Sequence, residues 1–322
     1  MFRLISSAIL AVLMLGTATA QNYPNRPITF VVSFAPGGLS DVPARLLAAE
    51  MQKRTGATIV VENKPGASGV NGGHYVVRSE PDGYTLLVSA ISETQNLHYL
   101  SVPYNALTDL TPIGKIADGP TLVLIANAQS EFKTLPDLIA FAKANPTKVN
   151  FSTSGPATSP AIAVSQLNSL AGTKIVEVAY RGTGPAAAAV ASGEVQGAFV
   201  FYPSAKPLID GGKVRALAVT NAKRIEGLPN VPTMAELGFK NFEHNAFVGL
   251  SAPRGTPKEV VATLNKYLNE TINTPEFRSR LEPLGMTLPA QPNTPESYGK
   301  YLEEQTAFQA GLAKLTGHRK KE

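Results

Sequence analysis

Short apolar runs, rich in β-branched and aromatic residues, alternate with longer amphipathic segments along most of the chain. Each run is bounded by turn residues such as Gly, Pro, Asn or Asp, which is typical of β-strands. The pattern predicts strands at residues 28–33, 58–62, 84–89, 122–126, 149–153, 175–180, 195–201, 214–220 and 246–251.

The segments between the runs have the spacing of helices and marked ends. Ser40 or Asp41 can cap the first helix, and Gly56 follows its end. We predict helices at residues 43–55, 70–79, 135–145, 161–171 and 185–192, and three more at 257–273, 275–284 and 294–315.

This alternation predicts an α/β fold with largely parallel sheets. A chain of 322 residues exceeds what one hydrophobic core usually organises, so we expect two domains. The last three helices have no strand of their own and must pack on a sheet formed earlier. The chain should therefore cross between the domains twice, near residues 121–126 and 244–250, and the two crossings make a hinge.

The N-terminus has the pattern of a secretory signal peptide. An apolar run at residues 4–15 precedes Ala18-Thr19-Ala20, so we expect cleavage after Ala20 and exclude residues 1–20 from the fold. Cysteine is absent, which excludes disulfides and a lipid-modified cysteine. We therefore expect a soluble periplasmic protein, and the net charge of +5 gives no reason to expect a nucleic-acid partner.

The loop at residues 34–41 joins the first predicted strand to the first predicted helix through Gly37 and Gly38. Such a turn presents free backbone N–H groups at the positive end of a helix dipole, and glycine lets a ligand come close to them. The Walker pattern of a phosphate-binding loop is missing from this segment. The sequence therefore favours a small anionic ligand over a nucleotide.

Three other segments, 89–94, 152–160 and 181–185, have similar small, hydroxylic and glycine-rich residues between a strand and a helix. In open α/β sheets the ligand crevice lies at the carboxyl ends of the strands, so the four segments predict one cleft. The four histidines lack metal-ligand spacing, and no Gly-x-Ser-x-Gly elbow marks a hydrolase nucleophile. We expect no catalytic residue, metal or cofactor.

Several motifs together resemble the periplasmic receptors of tripartite tricarboxylate transporters, often called Bug proteins. The resemblance covers the whole mature chain. The matching segments are Tyr23-Pro24-x-Arg26-Pro27-Ile28, residues 34–41, 61–67 and 81–87, Tyr180-Arg181-Gly182, residues 214–220, Leu228-Pro229-x-Val231-Pro232-Thr233 and Ala252-Pro253-x-Gly255-Thr256-Pro257.

The resemblance implies two α/β lobes that close over a ligand: residues 21–123 plus 248–322, and residues 124–247. It implies that Gly37, Gly38 and Asp41 hold a ligand carboxylate, partly through water. Ser89 and Ser92 join the expected site because they belong to the segment 89–94 of the predicted cleft. The resemblance also implies a monomer that delivers a small carboxylate to a membrane permease. Residues of the second lobe should meet the other end of the ligand: Ser154, Gly155, Arg181, Gly182, Thr183 and Gly184.

One segment departs from the family pattern. Where the family commonly has Phe-Asp-Asn-x-x-Ser-Ala, residues 199–205 place Val200 and Phe201 at the Asp and Asn positions. An aspartate there could pair with an ammonium group, so its loss favours an aromatic or aliphatic mono- or dicarboxylate over an amino acid. An equal alternative is that Val200 packs beneath the cleft, because strand residues alternate in direction.

Two other function classes remain open from the sequence. One is a sensing protein of the same fold that presents its liganded form to a membrane sensor kinase. The other is an exported hydrolase, which the missing nucleophile and base pattern disfavours.

Overall fold

A computed structural model describes residues 23–315, apart from residues 241, 243 and 245. The predicted signal peptide, residues 1–20, lies outside the described residues. Within them the chain forms two five-stranded sheets with helices packed on both. The predicted α/β class and its two-lobed arrangement are confirmed.

The first sheet, with its helices, forms lobe 1 and has the order β2-β1-β3-β10-β4. Strand β1 is parallel to β2 and β3, whereas β10 is antiparallel to β3 and β4. Its strands are β1 (Ile28–Val32), β2 (Ile59–Asn63), β3 (Thr85–Ala90), β4 (Leu110–Asp118) and β10 (Phe247–Pro253).

The second sheet forms lobe 2 and has the order β7-β6-β8-β5-β9. Strand β6 is parallel to β7 and β8, whereas β5 is antiparallel to β8 and β9. Its strands are β5 (Leu122–Asn127), β6 (Asn150–Thr153), β7 (Val176–Ala179), β8 (Gly197–Phe201) and β9 (Val214–Val219).

The sheets are mixed rather than largely parallel, and the crossings between lobes explain the difference. A chain that arrives from the other lobe enters a sheet at its cleft end and must run away from the cleft. Strands β5 and β10 enter in this way, so each is antiparallel to both of its neighbours.

The helices predicted from the sequence are all present, with their ends shifted by a few residues. Strand β4 and helices α3 and α7 were not predicted. The helices are α1 (Asp41–Thr55), α2 (Val70–Val77), α3 (Ser92–Tyr99), α4 (Leu135–Ala144), α5 (Ser159–Ala171), α6 (Thr183–Ser192), α7 (Tyr202–Asp210), α8 (Lys258–Ile272), α9 (Pro275–Leu281) and α10 (Pro295–Leu315).

The two crossings between the lobes lie side by side. One runs from the end of β4 to the start of β5, and the other reaches β10 after a long connection from β9. The backbone N–H of Gly119 on the first crossing donates to the carbonyl of Ala246 on the second at 2.9 Å. Helix α10 packs against β4 and α3, so the C-terminal helices return to lobe 1 as predicted.

Each sheet is buried by apolar side chains on both faces. Phe30 of β1 and Phe247 of β10 are fully buried in lobe 1, as are Phe151 of β6 and Phe199 of β8 in lobe 2. Burial of a large apolar side chain stabilises the fold by about 1.5–3 kcal/mol, so these two cores hold the strand ends in place. The carboxyl ends of β1, β3, β6, β7 and β8 then carry the loops that face the cleft.

Candidate ligand-binding site

The loop between β1 and α1 is held in shape by Asp41. The Asp41 carboxylate accepts the backbone N–H of Gly37 at 2.9 Å and the Nδ2–H of Asn63 at 2.8 Å. It also forms an ion pair with Arg45 at 3.0 Å, and Asp41 is only 3% exposed. Gly37 has a φ of 80°, a left-handed conformation that glycine adopts without strain.

Helix α1 begins two residues before the predicted start, and its cap differs from the prediction. Ser40 occupies the N-cap position but makes no side-chain cap hydrogen bond. Its backbone is helical, with φ −91° and ψ −23°, whereas a capping serine needs an extended backbone to reach the N–H groups of the first turn. Asp41 instead binds backwards to Gly37, so it shapes the loop.

An inner cavity lies between the lobes. Helices α1 and α3 of lobe 1 and helices α5 and α6 of lobe 2 all begin at its wall. The residues that line it are Phe34, Leu39, Ala90, Ile91, Ser92, Gln95, Ser154, Thr158, Ser159, Thr183 and Phe201.

The electrostatic character of the inner cavity comes from the backbone. None of the described residues that line it carries a charge. The first N–H groups of a helix have no partner within the helix, and they carry the positive end of its dipole. Four helix starts around one apolar cavity can therefore neutralise an anion without a lysine or arginine.

A buried carboxyl group lies directly behind this wall. Oε2 of Glu93 accepts the backbone N–H of Ala90 at 2.6 Å and the hydroxyl of Ser92 at 3.2 Å. Burial raises the pKa of Glu93 to about 7, although these hydrogen bonds favour the ionised form. The Glu93 side chain, which lies behind Ser92, therefore changes its charge near neutral pH.

An outer cavity adjoins the inner one, and Phe34 and Ser154 line both. The exposed side chain of Arg181 lies here, together with Gly155 and Tyr180. The outer cavity therefore offers a positive charge that the inner cavity lacks.

Direct hydrogen bonds join the two lobes around the inner cavity. The N–H of Ala35 donates to the carbonyl of Arg181 at 3.1 Å, and Nε2 of Gln95 donates to Oγ of Ser159 at 3.0 Å. On the outer side, Oγ of Ser68 donates to the carbonyl of Pro156 at 2.7 Å. The structure is therefore a closed form of the cleft.

The structure brings most of the sequence-predicted residues to this region. Ser92, Ser154, Thr183 and Phe201 line the inner cavity, and Ser154, Gly155 and Arg181 line the outer one.

The remaining predicted glycines stand where the lobes touch. A Cβ on Gly38 would lie 3.5 Å from Oγ1 of Thr183, and one on Gly182 would lie 3.3 Å from the N atom of Ala35. A Cβ on Gly184 would lie only 2.8 Å from the carbonyl oxygen of Pro36.

Three other predicted contacts neither line a cavity nor lie where the lobes touch. Asp41 is occupied by Gly37, Asn63 and Arg45, as described above. Oγ of Ser89 is bonded to Oγ of Ser251 at 2.9 Å, between strands β3 and β10. Val200 is fully buried in the core of lobe 2, because its side chain points to the opposite face of β8 from Phe201.

Sequence reasoning missed several lining residues. Leu39, Ile91, Thr158 and Ser159 fall within the four predicted loop segments but were not singled out. Gln95 lies one residue beyond its segment, inside a helix that the sequence did not predict. No local sequence signal marks Gln95, because its helix is polar and is enclosed only by the fold.

The chain is similar to known proteins of one receptor family. The model of the tripartite tricarboxylate transporter family receptor matches residues 43–315. The chain is 34% identical over 302 residues to protein BugT of Bordetella pertussis, covering 93% of this chain and 92% of that protein.

None of the helices among the described residues is long and apolar enough to cross a membrane.

Solved structures show the same fold. The periplasmic binding protein BugD is 34% identical with a TM-score of 0.89, covering 93% of this chain and all of that one. An R. palustris protein solved with adipate is 29% identical with a TM-score of 0.88, covering 93% and 100%. MatC from Rhodopseudomonas palustris, with bound malate, is 30% identical with a TM-score of 0.83, covering 90% and 99%.

Proposed function

The chain belongs to the receptor family of tripartite tricarboxylate transporters, and from this premise we propose that it is a periplasmic receptor for a small carboxylate. The ligand binds in the inner cavity as the lobes close, and the closed receptor delivers it to the membrane permease of the transporter. The protein works as a monomer after removal of residues 1–20. Its lobes are residues 21–123 plus 248–322, and residues 124–247.

One observation carries this proposal: four helix starts, two from each lobe, meet at a cavity whose described lining residues are all uncharged. Oriented N–H groups bind a carboxylate strongly, because they are already in place when the ligand arrives. They do not add the full charge of a lysine, so the ligand can also be released to a permease.

The apolar wall narrows the ligand class to aliphatic or aromatic mono- and dicarboxylates. Phe34, Leu39, Ile91 and Phe201 give the cavity apolar surfaces that suit a hydrocarbon chain or a ring. No carboxylate among the described lining residues can pair with an ammonium group, whose unpaired burial is costly. The adipate and malate seen in similar proteins are of the proposed class.

A second carboxylate on the ligand would extend past Ser154 towards Arg181 in the outer cavity. This orientation uses backbone donors for the inner carboxylate and a solvated guanidinium for the outer one. A dicarboxylate should therefore bind more tightly than the monocarboxylate of equal length, and the difference should shrink with added salt.

A thermal-shift screen tests the proposal on the mature protein after reversible unfolding has removed any bound compound. A ligand at 100 times its dissociation constant adds about 2.7 kcal/mol to the free energy of unfolding, which raises the melting temperature measurably. We expect aliphatic or aromatic carboxylates to raise it and amino acids to have little effect. Stabilisation by uncharged or cationic compounds alone would contradict the proposal.

A further inference from the structure

Gln95 is an unassigned polar side chain at the wall of the inner cavity. It lies in the second turn of α3, is 1% exposed and lines the cavity. Its Nε2–H donates across the cleft to Oγ of Ser159 at 3.0 Å, but its Oε1 is buried without a hydrogen-bond partner. Among the described lining residues, no other side chain has a fully shielded polar atom without a partner.

A buried carbonyl oxygen without a partner is unfavourable, because it has lost its bond to water and gained none in return. Gln95 lines the ligand cavity, so a ligand there is a group that can supply the missing donor. A carboxylate has only acceptors and cannot satisfy it. A second group on the ligand that carries a donor can satisfy it.

The hydroxyl protons around the cavity support this assignment. Ser92 donates its proton to Glu93, and Thr158 donates its proton to the carbonyl of Gly155 at 2.7 Å. Each of these two hydroxyls can therefore only accept a hydrogen bond from a ligand in the cavity.

Thr183 is limited in the same way. Ser204 donates its proton to the carbonyl of Gly37, so Thr183 is the donor in its own 2.8 Å bond with Ser204. Ser154 and Ser159 differ, since neither hydroxyl donates to a described acceptor, and Ser159 also accepts from Gln95. The pair formed by Gln95 and Ser159 thus offers one acceptor and one donor side by side.

We propose that Gln95 and Ser159 together bind a hydroxyl group on the carboxylate ligand, an inference that rests on the proposed function. The ligand hydroxyl donates to Oε1 of Gln95 and accepts the proton of Ser159. If the amide is turned by 180°, the pair again offers one donor and one acceptor, so a hydroxyl fits either orientation. The substrate class is therefore a hydroxycarboxylate.

The position of the pair links recognition to closure. Gln95 belongs to lobe 1 and Ser159 to lobe 2, so the pair exists only when the lobes meet. A hydroxyl between them completes a bridge across the cleft. An acid without the hydroxyl leaves Oε1 unpaired in the closed form, which lowers its affinity.

Matched pairs of acids that differ by one hydroxyl test this assignment by calorimetry: malate and succinate, 2-hydroxyadipate and adipate, mandelate and phenylacetate. We expect the wild-type protein to prefer the hydroxylated member of the pair that binds best, by about tenfold or more. The Gln95→Leu variant should bind both members within about twofold of each other.

Two further variants keep the test decisive. Gln309→Leu is the matched control, because Gln309 is also buried with an unpartnered Oε1 but does not line the cavity, so it should keep the preference. Ser159→Ala removes the free donor at the start of a helix, where alanine is tolerated, and should reduce the preference even if Gln95→Leu fails to fold.

Equal binding of both members by the wild-type protein would overturn the inference and leave the proposed function standing. An unchanged preference in Gln95→Leu or in Ser159→Ala would also overturn it. Failure of every acid to bind would overturn the proposed function itself, and the inference with it.

Discussion

The hydroxyl of Ser204, in the first turn of α7, donates a 2.8 Å hydrogen bond to the backbone carbonyl of Gly37, 167 positions earlier in the chain. Ser204 also accepts the proton of Thr183, so one serine joins the loop after β1 to the starts of α6 and α7. The loops proposed to hold the ligand thus touch each other directly. Closure of the lobes and completion of the cavity are one event.

Replacement of Ser204 by alanine should weaken ligand binding without unfolding either lobe. The variant loses a hydrogen bond that exists only in the closed form, worth about 1 kcal/mol or about fivefold in affinity. Calorimetry with a bound carboxylate measures the effect. Ser279→Ala is the control, because its hydroxyl donates within an exposed helix to the carbonyl of Glu276, and equal affinity of both variants would contradict the expectation.

Replacement of Gly184 by alanine should prevent full closure. The added Cβ would lie 2.8 Å from the carbonyl oxygen of Pro36 on the other lobe, closer than real Cβ contacts allow. Overpacking of this kind costs about 1–3 kcal/mol, so affinity should fall at least about tenfold, while the helix itself tolerates alanine better than glycine.

Small-angle X-ray scattering separates this effect from a loss of folding. The wild-type protein should become more compact when a carboxylate is added, and Gly184→Ala should not. Gly311→Ala is the matched control in another helix, since no atom lies within 4 Å of its added Cβ. Full compaction of the Gly184 variant would show that closure does not need this contact.

Replacement of Asp41 by alanine should destabilise the protein by about 2 kcal/mol, because a backbone N–H and a partly buried side-chain amide lose a charged acceptor. Gly37 and Asn63 are the groups left unpaired. The loop should then lose its shape, so affinity should fall as well. Urea unfolding measures the loss of stability. Asp210→Ala is the surface control, because the ion pair of Asp210 with Lys206 is exposed. Equal stability of the two variants would refute the role given to Asp41.

The carboxyl of Glu93 should make the protein less stable as pH rises. Its pKa is raised by burial from 4.5 to about 7, so its stabilising contribution is complete below pH 4.5 and is lost as pH rises through 7. Relative to Glu93→Gln, the wild-type protein should lose about 3 kcal/mol between these values. Urea unfolding across the range checks this, and parallel curves for the two proteins would contradict the buried carboxyl.

His244 is the natural control because its shift has the opposite sign. Burial lowers its pKa from 6.5 to about 4, so its contribution is present above pH 6.5 and is lost as pH falls through 4. The His244→Gln variant should therefore lose less stability than the wild-type protein as the pH falls. The Glu93→Gln variant should lose less stability than the wild-type protein as the pH rises.

The sequence predicted the elements that follow simple periodicity, and it missed those in which burial overrides local preference. Strand β4 contains Pro112 and Gly114, which disfavour a strand, yet pairing with β10 tolerates both through register shifts. Helix α3 is polar almost throughout, but Glu93, Gln95 and Asn96 are buried in it. Local sequence contains no signal for a polar helix that the fold encloses.

The candidate site was predictable as a set of loops and not as a set of side chains. Four strand-to-helix segments were expected to meet, and their residues line the cavities. The direction of single side chains was not predictable, because a one-residue shift in β8 exchanges Val200 for Phe201. Gln95 was missed because its partner, Ser159, lies 64 residues away on the other lobe.

A calorimetric titration of the mature protein with a dicarboxylic acid and its uncharged diamide tests the central claim most directly. The two compounds share length and shape and differ in charge, which is the property that the four helix starts should recognise. We predict saturable binding of the dicarboxylate and, for the diamide, an affinity at least about 100-fold weaker, since charged acceptors bind more strongly than neutral ones. Equal affinity for the acid and the diamide would contradict a carboxylate receptor.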